Sequence, residues 1–184
     1  MFQGEDMDRI NKIIKNELYL EFINKIKECE KSRIFCKHDP VHFMDVCRLA
    51  EIDWLNYRFK EMSDSQETRS ESERSDLRYI TREMLYACGL LHDIGRWQEY
   101  ENGVSHEIAS ANLAWDILTD SGFDDEEVKR VTEAIRNHRN KAVAEDLTLS
   151  GFLYRADKKS RPCYLCEAES ECNWFINKKN KEIK

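Results

Sequence analysis

Apolar positions recur along the chain as a succession of helical stripes. Ile10, Ile13, Ile14, Leu18, Phe22, Ile23 and Ile26 form the first, with Lys and Glu between them, and predict one packing helix. A second helix starts after Pro40, a residue suited to the first helical turn, and carries His42, Val46, Leu49, Ala50 and Asp53 along one face. It fades into the polar run 63–75, which has no apolar anchor and reads as a solvated loop or frayed helix. The third helix, Tyr79 to Asp93, is nearly apolar on every side from Met84 onward, so it should be the central, buried one, stopping near Gly95. A fourth, from about Ser105 to Asp120, presents Ile108, Ala111, Ala114, Trp115 and Leu118 and is capped by Gly122. The fifth opens with Asp124 and Glu127 in capping-box spacing, followed by Val128, Val131, Ile135 and His138 on one face. A sixth covers about Leu147 to Asp157, and the cysteine-rich stretch after Ser160 ends in a basic tail expected to be mobile.

Composition agrees with an all-α domain. The chain has 184 residues with only 6 Gly and 2 Pro, which disfavours a turn-rich sandwich or barrel, and the length suits one domain with a substantial core. Charged residues make up 35%, yet the 41% that are hydrophobic exclude global disorder. The net charge of −7 has the wrong sign for binding nucleic acid or an anionic membrane, so a phosphate substrate would need local neutralisation, for which bound metal is the obvious candidate. The longest apolar stretch, Met84 to Leu91, is less than half of what spans a bilayer, and the first residues lack the features of a signal peptide. A cytoplasmic protein is expected, in which most of the seven cysteines stay thiols or metal ligands.

Four of the five histidines, His42, His92, His106 and His138, lie at or near the ends of four different predicted helices and could converge on one point of a bundle. His92 and Asp93 close an apolar run and are driven inward by their neighbours. Burying a carboxylate without a partner costs several kcal/mol, a cost that a shared cation removes. Imidazole with carboxylate suits Mn, Fe, Co, Ni or Zn, with Mg less favoured as the histidine count rises. His42 shares the stripe of Val46 and Leu49, and Asp157 ends the stripe of Leu149 and Leu153. Any one of these alone is more often a hydrogen-bonded core residue than a ligand.

The ordered set resembles the HD superfamily of metal-dependent phosphohydrolases: His42, then Leu-Leu-His-Asp-Ile-Gly-Arg at 90–96, then His106-Glu-Ile-Ala-Ser-Ala, then Ile135-Arg-Asn-His138, then Ala156-Asp157-Lys. The similarity runs over about residues 35 to 160. The phrases around Cys36 and at 160–166 further resemble a bacterial subgroup of HD-domain proteins without an assigned function. The resemblance implies an all-α HD-domain bundle over 35–160, preceded by the packing helix of 1–34 and followed by a cysteine-rich segment and basic tail at 161–184. It implies that His42, His92, Asp93 and Asp157 hold a first divalent metal, and that His106 and His138 hold a second, bridged through Asp93. One or two metals per chain would then activate water for in-line attack on a phosphomonoester or phosphodiester, expected in a nucleotide, with Asp93 and Arg96 as the catalytic pair. Ile94-Gly95-Arg96 stands where the branch acting on guanosine tetraphosphate carries acidic residues, which weighs against that substrate.

Other residues keep two readings. Arg96 is a fork for a substrate phosphate or a solvated residue after a helix end. Glu107 and Arg139 support the second metal and the substrate, or face water. His38, four residues before His42, is a pocket-edge residue, because Pro40 disfavours helix at Asp39. Cys163, Cys166 and Cys172, completed by Cys36, would hold Zn or an iron–sulfur cluster; the alternative is three semi-buried thiols packing the tail. Cys29, Cys47 and Cys88 read as small core residues. Trp97, Tyr100 and Trp115 either line a nucleobase-stacking wall or pack between helices. Two further functions stay open, a non-catalytic metal- or nucleotide-sensing module and a di-iron oxygenase. A small phosphate ester or nucleotide is the expected partner, with no nucleic acid and no membrane, and a homodimer is the expected assembly.

Overall fold

The computed structural model describes residues 7–63 and 77–182. Among these residues there are no strands. The helices are α1 (Asp8–Lys15), α2 (Glu17–Cys29), α3 (Pro40–Ser63), α4 (Arg82–Leu91), α5 (Arg96–Asn102), α6 (His106–Ser121), α7 (Asp125–Asn137) and α8 (Leu149–Lys159), with short 3-10 turns after α7 and in the C-terminal segment. The all-α class is thus the observed one, and the polar run 63–75 lies outside the described residues apart from its first member.

α4 is the axis of the bundle and packs against α1, α3, α6, α7 and α8. Its composition explains this: Met84, Leu85, Ala87, Cys88, Gly89, Leu90 and Leu91 are all buried, so no face is left for water. Thr81 starts the helix by accepting a hydrogen bond from the Met84 amide at 3.2 Å, which sets the start at Arg82, three residues later than the apolar pattern suggested. The capping box of α7 forms as its spacing predicted, with Asp124 accepting from Glu127 N and Glu127 from Asp124 N. Gly122 ends α6 at φ 93°, a left-handed backbone that glycine adopts without strain.

Three expectations are corrected. The first predicted helix is two, because Asn16 leaves helical geometry (φ −67°, ψ 132°) and its side chain accepts from the amides of Leu18 and Tyr19, capping α2. Ile14 and Leu18 consequently face outward, while Ile13, Tyr19, Phe22 and Ile26 enter the core. On α6, Ile108 and Trp115 are exposed and Ala109, Ala111, Ala114, Ile117 and Leu118 are buried, so the inner face is turned from the predicted one. The basic tail is tied down: Asn180 Nδ2 donates to the carbonyls of Lys158, Lys159 and Arg161 at 2.8, 3.3 and 2.9 Å, and Lys179 and Lys181 pair with Glu169. Among the described residues no helix is long and apolar enough to cross a membrane.

The turn 92–95 joins α4 to α5, a short polar helix that leaves no apolar stripe in the sequence. This turn is pressed onto α6, where the Gly95 amide donates to Ser110 Oγ at 2.9 Å. A Cβ on Gly95 would lie 2.4 Å from Ser110 N and 2.7 Å from the Ala109 carbonyl carbon. Gly95→Ala should therefore destabilise the fold by about 1–3 kcal/mol in chemical denaturation. A change below about 0.5 kcal/mol would mean that the turn moves freely away from α6.

Candidate metal centre

Five helices deliver ligands to one interior point. α4 ends by placing His92 at its C-cap and Asp93 just beyond, and Asp93 is 2% exposed. α3 contributes His42 from its first turn, where Asp39 caps the helix by accepting from the His42 amide at 3.0 Å. His106 is the first residue of α6, His138 the C-cap of α7, and Asp157 lies in the last turn of α8.

Donor atoms of His42, His92, Asp93 and Asp157 all lie within 4.8 Å of one another, and so do those of Asp93, His106 and His138. The two sets share Asp93. Its Oδ2 is 3.2 Å from His92 Nε2 and 3.8 Å from His42 Nε2, while Oδ1 is 3.2 Å from His106 Nε2 and 3.6 Å from His138 Nε2. Asp157 Oδ1 completes the first set at 3.7 Å from His42 Nε2 and 3.9 Å from His92 Nε2.

Each ring is held by its other nitrogen. His92 Nδ1 meets the Gly89 carbonyl at 2.9 Å, His138 Nδ1 the Ile135 carbonyl at 2.6 Å, His42 Nδ1 the Ser160 hydroxyl at 3.2 Å and His106 Nδ1 Glu99 Oε2 at 2.5 Å. This is the second contact that fixes a metal-binding imidazole, leaving the Nε2 lone pair directed inward. Ordinary core histidines would not place Nε2 of His42 and Nε2 of His92 3.3 Å apart. Asp93 Oδ1 is fully buried and accepts no hydrogen bond. A buried, unbonded carboxylate oxygen amid inward lone pairs fits a divalent cation, and this nitrogen–oxygen set suits Mn, Fe, Co, Ni or Zn better than Mg.

The electrostatics agree. Burial alone would push the Asp93 carboxyl up, but the ring of imidazoles around it, His92 and His38 first and then His138 and His42, holds it well below the usual carboxylate range. Burial likewise opposes ionisation of Asp157, and Lys158 and Arg161 outweigh it, so this carboxyl too is shifted down. Burial lowers His106 to about 3, which keeps that imidazole neutral and able to coordinate.

Sequence reasoning undervalued His38 and missed Glu30 and Glu99. His38 lies ahead of α3, as Pro40 requires, yet the loop brings it to 4% exposure with Nε2 3.5 Å from Asp93 Oδ2. Glu30, at the end of α2, holds it: one oxygen is 2.5 Å from His38 Nδ1, the other accepts from the His38 amide at 2.8 Å, and Tyr100 donates at 2.6 Å. The four-residue spacing of His38 and His42 was the available signal.

Other predicted residues are distributed unevenly. Arg96 faces the second set, with Nη1 2.6 Å from His106 Nδ1 and 2.9 Å from Glu99 Oε2. Glu107 and Arg139 pair with each other at 3.3 Å beside His106, with Arg139 half exposed. Cys36, Cys163, Cys166 and Cys172 are all free thiols, and among the described residues no candidate metal group contains a sulfur. The structure thus does not bring the proposed cysteine site together. Cys47 and Cys88 are core residues as expected, whereas Cys29 is only half-buried. The aromatic wall is not assembled either: Trp97 stacks on Phe22, Trp115 lies on an exposed face of α6, and Tyr100 serves Glu30.

Residues 62–162 match the HD domain family. The chain belongs to that family. Its members form a superfamily of metal-dependent phosphohydrolases, and the His/Asp cluster is where this HD domain could hold its metal. His42 lies outside the matched span, so geometry rather than the family match joins it to the site. A Clostridium beijerinckii protein described only as uncharacterized is 35% identical over 96% of this chain and 99% of its own length. No solved structure matches the chain.

The arrangement around Glu30 yields a pH dependence. Burial disfavours its charge, but His38 and Tyr100 bind the carboxylate and lower its pKa from 4.5 to about 2. A depressed carboxyl stabilises the fold fully above its unfolded value and loses that contribution as pH falls through the folded one. Stability should therefore drop by roughly 3 kcal/mol between about pH 4.5 and 2 on account of this group, and Glu30→Gln should flatten that part of the profile. An unchanged slope in the variant would remove Glu30 from this role.

Proposed function

We propose that this HD-domain protein hydrolyses a phosphomonoester or phosphodiester bond of a nucleotide. The observation that carries this reading is the single buried carboxylate of Asp93, which points one oxygen at each of two ligand sets. A pair of cations bound there supplies Lewis acidity and an activated water, which is the chemistry needed for in-line displacement at phosphorus. The chain's own residues do the rest. Asp157 and the Nδ1 contacts of the four histidines keep the donors aimed inward, and burial excludes competing solvent. Arg96 binds a phosphoryl oxygen at the second set, using guanidinium donors that Glu99 and Tyr100 hold in place. Glu107 and Arg139 form the rim on that side. His38, aimed by Glu30, turns Nε2 toward Asp93 Oδ2 beside the first set. The net charge of −7 favours a small substrate over a nucleic acid. The working assembly in this reading is a homodimer in the cytoplasm.

The test is phosphate release from a nucleotide panel after loading with Mn, Co or Fe, with metal content measured in parallel. Asp93→Asn should lose metal from both sets and reduce turnover by at least roughly a hundredfold, the upper end of what losing even an outer-shell partner costs. A panel that stays inert while both sets are occupied would sink the hydrolase reading in favour of sensing. Oxygen consumption by the iron-loaded protein, without phosphate release, would favour the oxygenase.

A further inference from the structure

The C-terminal segment was set apart by its cysteines, but its closest link to the site is Arg161. This residue follows α8 and is four positions beyond Asp157. Its side chain is 13% exposed, and Nη2 donates to Asp157 Oδ1 at 3.3 Å. The guanidinium lies 4.7 Å from the centre of the Trp174 ring. Its Nε is fully buried and makes no hydrogen bond. Asn180 and the Cys163 amide fix the backbone by donating to the Arg161 carbonyl, both at 2.9 Å. Residues 163–180 thus do one visible thing for the site: they hold one guanidinium over the Trp174 ring with Nη2 at the Asp157 oxygen that faces the first set.

A counter-ion for Asp157 does not need this construction. Lys158 Nζ already holds Asp157 Oδ2 at 2.5 Å, and Asp157 Oδ1, the oxygen that Arg161 touches, is the one facing His42 and His92. A cation in the first set would take that oxygen and release the Nη2 donor of Arg161 that now holds it. Arg96, on the second set, and Arg161, on the first, then flank the centre from opposite ends.

We propose that Arg161, stacked on Trp174, is a substrate-binding residue that grips a second anionic group next to the scissile phosphoryl, and that the C-terminal segment builds this wall of the active site. The substrate class is accordingly a phosphate ester with an adjacent phosphoryl group, a di- or polyphosphate, rather than a plain monophosphate. This inference rests on the hydrolase reading for its chemistry. A planar guanidinium with a stacked face offers two parallel N–H donors to phosphate oxygens, which a lysine does not.

The test compares binding of inorganic phosphate and methylenediphosphonate, neither of which turns over, to the full-length protein with Mn in excess. Arg161→Ala should weaken diphosphonate at least about tenfold through loss of charge-assisted hydrogen bonds. Phosphate should weaken less than about threefold, as for a group that Arg161 does not touch. Arg161→Lys should not restore the diphosphonate affinity. Trp174→Ala should give the same selective loss at about three- to tenfold, and it carries the test should Arg161→Ala fail to fold. Equal loss for both anions, no loss for either, or loss of bound Mn from Arg161→Ala would overturn the proposal, the last by showing Arg161 to be only the partner of Asp157. Absence of diphosphonate binding to the parent would overturn it too. Because no turnover is measured, selective binding without hydrolysis would separate this inference from the hydrolase reading, and hydrolysis without Arg161-dependent binding would do the reverse.

Discussion

The helices are arranged around one buried carboxylate. An ionised Asp93 deep in a bundle of this size costs several kcal/mol unless positive charge or a cation meets it. Its neighbours on α4 nevertheless force it inside, since no face of that helix between Met84 and Leu91 is polar enough to lie at the surface. The remaining elements answer this constraint. α3, α6, α7 and α8 each bring a donor to within coordination reach of Asp93 or its partner Asp157, and the loop before α3 adds His38. The tight turn at Gly95 follows from the same demand, because a bulkier residue there would clash with Ala109 and Ser110 of α6, the helix that carries His106.

Two of the imidazoles are placed by the same local device. His92 and His138 both occupy C-cap positions, and each Nδ1 returns to the carbonyl three residues earlier, at Gly89 and Ile135. The last carbonyls of a helix lie outside its regular ladder, so a histidine at this position gives one of them a side-chain donor and fixes its own tautomer together. Two helix C-termini also direct partial negative charge at the centre, which adds to the attraction for a cation. His106 stands at a helix N-terminus, where no free carbonyl is available, and it relies instead on Glu99 from α5.

This difference explains what was legible in the sequence. Helix existence, the burial of α4, the capping box and the clustering of the six His and Asp side chains were all visible, because apolar stripes carry a donor at the end of each stripe to a predictable side. The break at Asn16 and the helix α5 were not visible, since a single side-chain cap overrides a continuous stripe and a seven-residue polar helix has none. The supporting carboxylates were hidden for a related reason. Glu30 and Glu99 look like surface residues in their own helices, and only the packing of α2 and α5 against the site gives them imidazoles to hold. The cysteine spacing misled in the opposite direction: Cys163 and Cys166 bracket one short turn and Cys172 ends another, and among the described residues proximity along the chain does not gather them into a metal-binding group.

The overall charge of −7 and the charged groups at the site act over different ranges in this protein. With −7 overall, an anion approaching from solution is repelled at long range, but that repulsion is screened within about 8–10 Å at physiological ionic strength. At the centre, Arg96, Lys158 and Arg161 lie beside Asp93, Asp157 and Glu99, and each divalent cation added there would shift the local balance toward positive. In a low-dielectric interior those short-range terms dominate over the distant surface. Discrimination among anions is therefore set by how many guanidinium donors remain unclaimed once the carboxylates turn to the cations. Arg96 stays claimed by Glu99 and Tyr100, whereas the Asp157 oxygen that holds Arg161 is one a cation would take, so in the proposed reading substrate choice rests chiefly on the end of the site that the C-terminal segment builds.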